Sequence, residues 1–193
     1  MSFYTEVLMR SPVFKSSTIC KDPAMLAPPM RAAILALLDD AKAAGYDLQI
    51  AETFRSQARQ QMLYREGYTK LKNVGVHNAG LACDLNLFDG GKYVSDGRAY
   101  LFLRHFAEKH GLISGIDWGR PDLPHSFRDY DHVQLCAMDR QNALFAKAWF
   151  PPDDYNALLD SGRYVPTALN APLIVPHEIA FAKPPAPDAK QVG

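Results

Sequence analysis

Two short segments of this chain place imidazoles and carboxylates at spacings suited to metal chemistry. In Val76-His77-Asn78-Ala79-Gly80-Leu81-Ala82-Cys83-Asp84-Leu85-Asn86-Leu87-Phe88, His77 and Asp84 stand seven positions apart with a glycine and small residues between them. The segment then enters an apolar run that reads as a buried strand. A loop followed by a strand can present two ligands in this way. Asp129-Tyr130-Asp131-His132-Val133-Gln134-Leu135 supplies a second imidazole beside two carboxylates, again running into a short apolar strand. Two histidines and one aspartate make three protein ligands. A zinc ion held by three protein ligands keeps its fourth position for water, the arrangement of a catalytic site. A carboxylate near that water is a candidate general base, and the spare ones here are Asp129 and Asp131.

The remaining histidines lack this context. His105 and His110 fall in a helical stretch, His125 follows a proline in a loop, and His177 lies near the C-terminus. The three cysteines, Cys20, Cys83 and Cys136, are widely spaced, with no Cys-x-x-Cys pair, and read as buried small residues. Cys83 adjoins Asp84, so in a strand the two side chains point to opposite faces. Gln134 shares a strand face with His132 and is placed to support it.

Elements that could position these residues follow from the periodicity. Residues 1–28 are interrupted by prolines and read as extended segments and turns. Helical spacing of Ile34, Leu35, Leu37, Leu38 and Ala41 predicts a core helix over 30–44, with Pro29 in its first turn and Gly45 as its cap. A short strand over 47–51 places Leu48 and Ile50 on one face. Arg55 follows at a strand-to-helix junction, and Ser56 can cap the helix predicted over 57–66. The strand over 82–88 turns through Asp89-Gly90-Gly91 into 92–94, a hairpin signal. A helix is predicted from Ser95 or Asp96 to His110. Residues 113–128 lack periodicity and read as a loop that contains Trp118. A short strand over 132–136, a helix from 137 or 138 to 150 and a short helix over 153–159 complete the fold. The prediction is thus one domain over 1–161, followed by an extended proline-rich tail over 162–193.

The chain has 193 residues, with 21 Lys plus Arg balancing 21 Asp plus Glu. That length can bury a sizeable core. The balanced charge offers no basic excess for nucleic acid or a membrane surface. No run of about 18 apolar residues is long enough to span a bilayer. The N-terminal residues Met1-Ser2-Phe3-Tyr4-Thr5-Glu6 carry no secretory pattern.

Taken together the segments resemble the zinc peptidases that cut D-amino-acid-containing peptides of bacterial cell walls. These are D-alanyl-D-alanine carboxypeptidases and dipeptidases and the L-alanyl-D-glutamate endopeptidases found among phage endolysins. The family pattern Ser-x-His-x-x-Gly-x-Ala-x-Asp is matched by residues 75–84, with Gly75 in place of the serine. Its later Asp/Glu-x-x-His is matched by Asp129-Tyr130-Asp131-His132, with Asp131 where proline is common. Glu52-Thr53-Phe54-Arg55-Ser56 is similar to the family's arginine-bearing turn, and Asp117-Trp118-Gly119 partly matches another family stretch. The resemblance runs from about residue 51 to 135.

It implies an α+β fold, a small mainly antiparallel sheet flanked by helices, with the zinc site common to hedgehog-type and D-Ala-D-Ala-peptidase domains. It implies Zn2+ on His77, Asp84 and His132, Asp129 as general base, and Arg55 on the substrate's carboxylate or oxyanion. Asp131, Gln134 and Trp118 become candidates for supporting the site or lining the substrate cleft. The implied substrate is the peptidoglycan stem peptide, and the implied protein is a monomer, most simply an endolysin-type L-alanyl-D-glutamate endopeptidase. The alternatives are a D-alanyl-D-alanine carboxypeptidase or dipeptidase, or a non-catalytic zinc-containing cell-wall-binding or phage structural module. Without a secretory signal, such a protein is expected to reach the wall by holin-type release or within a phage particle.

Overall fold

The computed structural model describes residues 2–119 and 127–160. Pro28 and Pro29 open helix α1 (Pro28–Ala43), where a missing N–H costs nothing. Met30, Ile34, Leu37 and Ala41 recur every three or four residues and are buried along one face. Gly45, at φ 89°, ends the helix, with Tyr46 N–H donating to Ala41 O and Gly45 N–H to Lys42 O. This pair of bonds satisfies carbonyls that the helix end would otherwise leave open.

The chain then enters β1 (Asp47–Glu52), and α2 (Gln57–Arg65) follows with Ser56 Oγ accepting from Arg59 N–H at its start. The central strand is β2 (Ala82–Asp89), which turns into the short β3 (Lys92–Tyr93). Helix α3 (Leu103–Lys109), β4 (Ile113–Ser114), β5 (His132–Gln134), α4 (Gln141–Phe145) and α5 (Ala157–Asp160) follow. One antiparallel sheet runs β1-β2-β5-β4, with β3 paired to β2. Helix α1 packs against β1, and α3 packs against β4 and α1. Alternation along β2 sends Cys83, Leu85 and Leu87 into this core and Asp84 to the other face. The fold is therefore α+β with a small antiparallel sheet, as the sequence led us to expect.

Several boundaries differ. Strand β4 falls inside the stretch predicted as loop, because two residues carry no period and become a strand only by pairing with β5. The helix predicted to reach residue 150 stops at Phe145. Lys147 adopts a left-handed conformation (φ 57°), and Ala148 N–H closes back on Ala143 O. The helix predicted over 95–110 begins instead as a tight turn at Gly97–Tyr100, capped by Asp96, before α3. The residues before α1 form short helical turns at Tyr4–Leu8, Pro12–Lys15 and Pro23–Met25. The tail over 162–193, its boundary at residue 161, and His125 and His177 lie outside the described residues. No helix among the described residues is long and apolar enough to cross a membrane.

Candidate metal centre

The register of the sheet assembles the site. Asp84 on β2 lies directly opposite His132 on β5, and Glu52 on β1 lies opposite Asp84 from the other side. Plain alternation would put Glu52 on the core face with Leu48 and Ile50. An irregularity between Ile50 and Glu52 inserts one extra residue, Ala51, and turns Glu52 to the face that carries Asp84.

His77 comes from the tight turn Val76–Ala79, which precedes β2. Gly80 closes that turn at φ 68°, and a Cβ there would lie 2.7 Å from Met25 O, so glycine is required. Asn78 Oδ1 accepts from Gly75 N–H, and its amide nitrogen donates to Arg55 O at 2.5 Å.

Three atoms converge here. His132 Nδ1 lies 2.9 Å from Asp84 Oδ1, His77 Nε2 lies 3.2 Å from the same oxygen, and the two ring nitrogens are 3.3 Å apart. The outer nitrogen of each ring meets an atom that can only accept. His77 Nδ1 is 2.7 Å from Thr53 O, and His132 Nε2 is 3.1 Å from Gln134 Oε1. The Gln134 amide is oriented by donation from its Nε2 to Cys136 O at 2.6 Å. Each imidazole therefore carries its proton on the outer nitrogen and turns a lone pair inward. Two imidazole lone pairs and a carboxylate oxygen in mutual contact require a cation among them, a metal ion or a proton. Ligands at about 2.0–2.1 Å around a tetrahedral zinc stand roughly 3.3 Å apart. The observed triangle fits that edge, and the outer hydrogen bonds are those that orient metal-bound histidines.

The electrostatics agree with a site built for a cation. Burial raises the Asp84 carboxyl, but His77 and His132 outweigh it and hold Asp84 well below the ordinary carboxylate range. Burial pushes His132 down, yet its hydrogen bond to Asp84 prevails and raises it. Asp131 is pushed up to about 8, first by burial, then by the charge of Asp84 and by a side-chain hydrogen bond with Asp129. A protonated Asp131 at neutral pH can donate to Asp129, so the extra carboxyl in the second motif lines the site rather than lying on a solvated turn.

Arg55 sits beside the trio with its fork engaged. Its Nη2 lies 2.6 Å from Glu52 Oε2 and 3.3 Å from Asp84 Oδ2, Nε lies 3.1 Å from Glu52 Oε2, and Nη1 lies 3.5 Å from Gln60 Oε1. Asp84 thus gives one oxygen to the histidines and the other to Arg55.

A cleft of about 710 Å³ opens over these groups, lined among others by Asp129, Asp131, Trp118 and Phe127. Trp118 is buried, with its ring centroid 4.9 Å from that of His132. Asp129 is fixed by its N–H to Gly115 O at 3.0 Å, and a Cβ on Gly115 would come within 2.4 Å of Asp129 O. The structure therefore brings together all eight residues singled out in the sequence: His77, Asp84, His132, Asp129, Asp131, Arg55, Gln134 and Trp118.

Glu52, Thr53, Gln60 and Gly115 were not singled out. Glu52 stands three residues before Arg55, a spacing that could have flagged it. The contact from Thr53 is made by its backbone carbonyl and leaves no trace in residue type.

No family model matches the chain. The peptidoglycan L-alanyl-D-glutamate endopeptidase CwlK of Bacillus subtilis (strain 168) is 31% identical over 112 residues, covering 47% of this chain and 62% of the relative. The chain thus spans less than two thirds of that relative. Among solved structures, the L-Ala D-Glu endopeptidase ChiX of Serratia marcescens aligns at 21% identity and a TM-score of 0.47, over 58% of this chain and 81% of that one. VanYB, solved in complex with D-alanine-D-alanine, aligns at 17% identity and a TM-score of 0.47, over 64% and 78%. At those identities and scores neither alignment bears on function. The sequence relative is an endopeptidase of the group that the motifs resemble, so the resemblance of this chain to the cell-wall peptidases of the L-alanyl-D-glutamate kind is borne out.

Proposed function

We propose that this protein is a zinc-dependent peptidase that hydrolyses peptide bonds in the stem peptides of bacterial peptidoglycan, of the L-alanyl-D-glutamate endopeptidase type. The observation that carries the reading is the convergence of three inward acceptors, His77 Nε2, Asp84 Oδ1 and His132 Nδ1, within 3.3 Å of one another under an open cleft. The relative at 31% identity, itself an L-alanyl-D-glutamate endopeptidase, supports the choice of substrate.

His77, Asp84 and His132 are the residues that would hold the ion. A zinc ion supplies Lewis acidity there, activating water and polarising a carbonyl. The protein's own groups do the rest. Asp129 accepts the proton of the attacking water and returns it to the leaving amine, and Asp131, sharing a hydrogen bond with Asp129, steadies that carboxylate between the two transfers. Arg55 keeps Asp84 Oδ2 occupied, which leaves Oδ1 as the oxygen that would hold an ion. Trp118 shields the His132 ring from bulk water.

Digestion of purified muropeptides by the zinc-loaded protein, with products read by mass, tests the proposal. The endopeptidase reading predicts fragments ending in L-alanine and fragments beginning with a D-glutamyl amine. Release of free D-alanine would instead assign a carboxypeptidase, and binding to cell wall without any soluble product would remove the catalytic reading.

A further inference from the structure

Two arginines border the cleft, and one buried carboxylate lies between them. Glu52 is only 6% exposed and uses both oxygens, Oε2 on Arg55 and Oε1 on Arg59 Nε at 3.1 Å. Arg55 spends four hydrogen bonds on Glu52, Asp84 and Gln60. Arg59 is held only along its Nε edge, and among the described residues its two terminal nitrogens meet no hydrogen-bond partner. Its backbone is fixed too, by Ser56 Oγ at the first turn of α2. A guanidinium anchored in this manner presents the Nη1–Nη2 edge, which matches a carboxylate with two parallel hydrogen bonds.

The charge around it gives that edge a purpose. Glu52, Glu66, Asp84 and Asp129 border the same cleft along with Arg55, Arg59 and Lys70, so an anionic ligand is held only where a cation has donors to spare. We propose that Arg59 recognises a free carboxylate on the peptide substrate close to the scissile bond, and so sets the enzyme's preference for acidic peptides. The inference rests on the peptidase reading of the cleft. Two chemical sources fit: a glutamyl residue keeps one free carboxyl whichever of its two enters the peptide bond, and a chain ending in D-alanine carries a terminal one. Glu52 then acts as a divider, committing Arg55 to Asp84 and Arg59 to the substrate.

The experiment compares wild type, Arg59→Met and Arg59→Lys, zinc-loaded and full-length, on two pairs of peptides. One pair is L-Ala-γ-D-Glu-L-Lys and its α-amide. The other is a peptide ending in D-Ala-D-Ala and its C-terminal amide. Wild type is expected to favour the acid of one pair by about 10–100-fold in kcat/KM, mainly through KM. Arg59→Met should bring the acid-to-amide ratio of kcat/KM to about one, and Arg59→Lys should restore part of the preference. The pair that shows the effect identifies the source of the carboxylate.

An equal rate on acid and amide in both pairs overturns the inference. So does a preference that survives in Arg59→Met, or a loss that falls equally on acid and amide, which marks a structural role. Turnover of no peptide by wild type would remove the peptidase reading. Calorimetric binding of the same pairs to chelator-treated protein would then still decide on Arg59. If Arg59→Met does not fold, the acid-to-amide ratios of wild type and Arg59→Lys decide it.

Discussion

Asp84 and His132 face each other across two antiparallel strands, with Asp84 Oδ1 2.9 Å from His132 Nδ1, while Gln134 holds the far side of the same ring at 3.1 Å. The strand pairing aims the ring, and the amide fixes which nitrogen carries the proton. Metal-free protein at high pH should therefore show His132 protonated at Nε2 and His77 at Nδ1 in nitrogen-detected NMR. The Gln134→Leu change removes the acceptor, and should weaken zinc binding by about 10–100-fold with the fold intact. Unchanged affinity in that variant would show that the tautomer is set elsewhere.

Asp131 makes the metal-free protein sensitive to pH. Its folded carboxyl titrates near 8, above its value in the unfolded chain, so its protonation favours the folded state. That contribution is fully present below about pH 4 and is lost as pH rises through about 8. Asp131→Asn should accordingly stabilise the metal-free protein at pH 7.5 by roughly 1–3 kcal/mol and have little effect at pH 4. Urea unfolding at the two pH values checks the sign.

The buried carboxylate of Glu52 can be tested directly. Its two oxygens hold Arg55 and Arg59. Breaking a buried ion pair costs about 3–5 kcal/mol. Glu52→Ala should lower stability by that order, read by denaturant unfolding, and should reduce zinc affinity because Arg55 is then free to compete for Asp84. A Glu52→Ala variant as stable as wild type would mean that this carboxylate does not hold the two arginines.

Gly115 sets the position of the proposed base. A methyl group there meets Asp129 O at 2.4 Å and Asp129 Cβ at 3.0 Å, so Gly115→Ala must displace the Asp129 backbone. Since a shift of about 1 Å at a reacting group can cost on the order of 100-fold, kcat should fall by roughly 10–100-fold. Zinc stoichiometry, measured in parallel, should stay unchanged, because the atoms that a methyl group there meets first all belong to Asp129.

Strong local signals made much of the site legible in the sequence. His77 and Asp84 flank a glycine turn at the mouth of an apolar strand, and His132 and Gln134 sit two apart on another, so alternation alone puts them on common faces. What escaped depends on pairing or on backbone. Glu52 reaches the site only through an irregularity that reverses its expected face, and β4 exists only against β5. Thr53 contributes a carbonyl, and Gly115 contributes the room that its missing side chain leaves. The hydrogen bonds from Arg55 to Glu52 likewise follow from where Glu52 lands.

The most direct measurement is zinc stoichiometry and affinity by competition with a chromogenic chelator, on wild type and on His77→Ala, Asp84→Asn and His132→Ala. The three-ligand account predicts one tightly held zinc per wild-type chain and a loss of at least about 100-fold in affinity in each variant, with secondary structure retained. A wild-type chain that takes up no zinc, or variants that hold it as tightly as wild type, would contradict it.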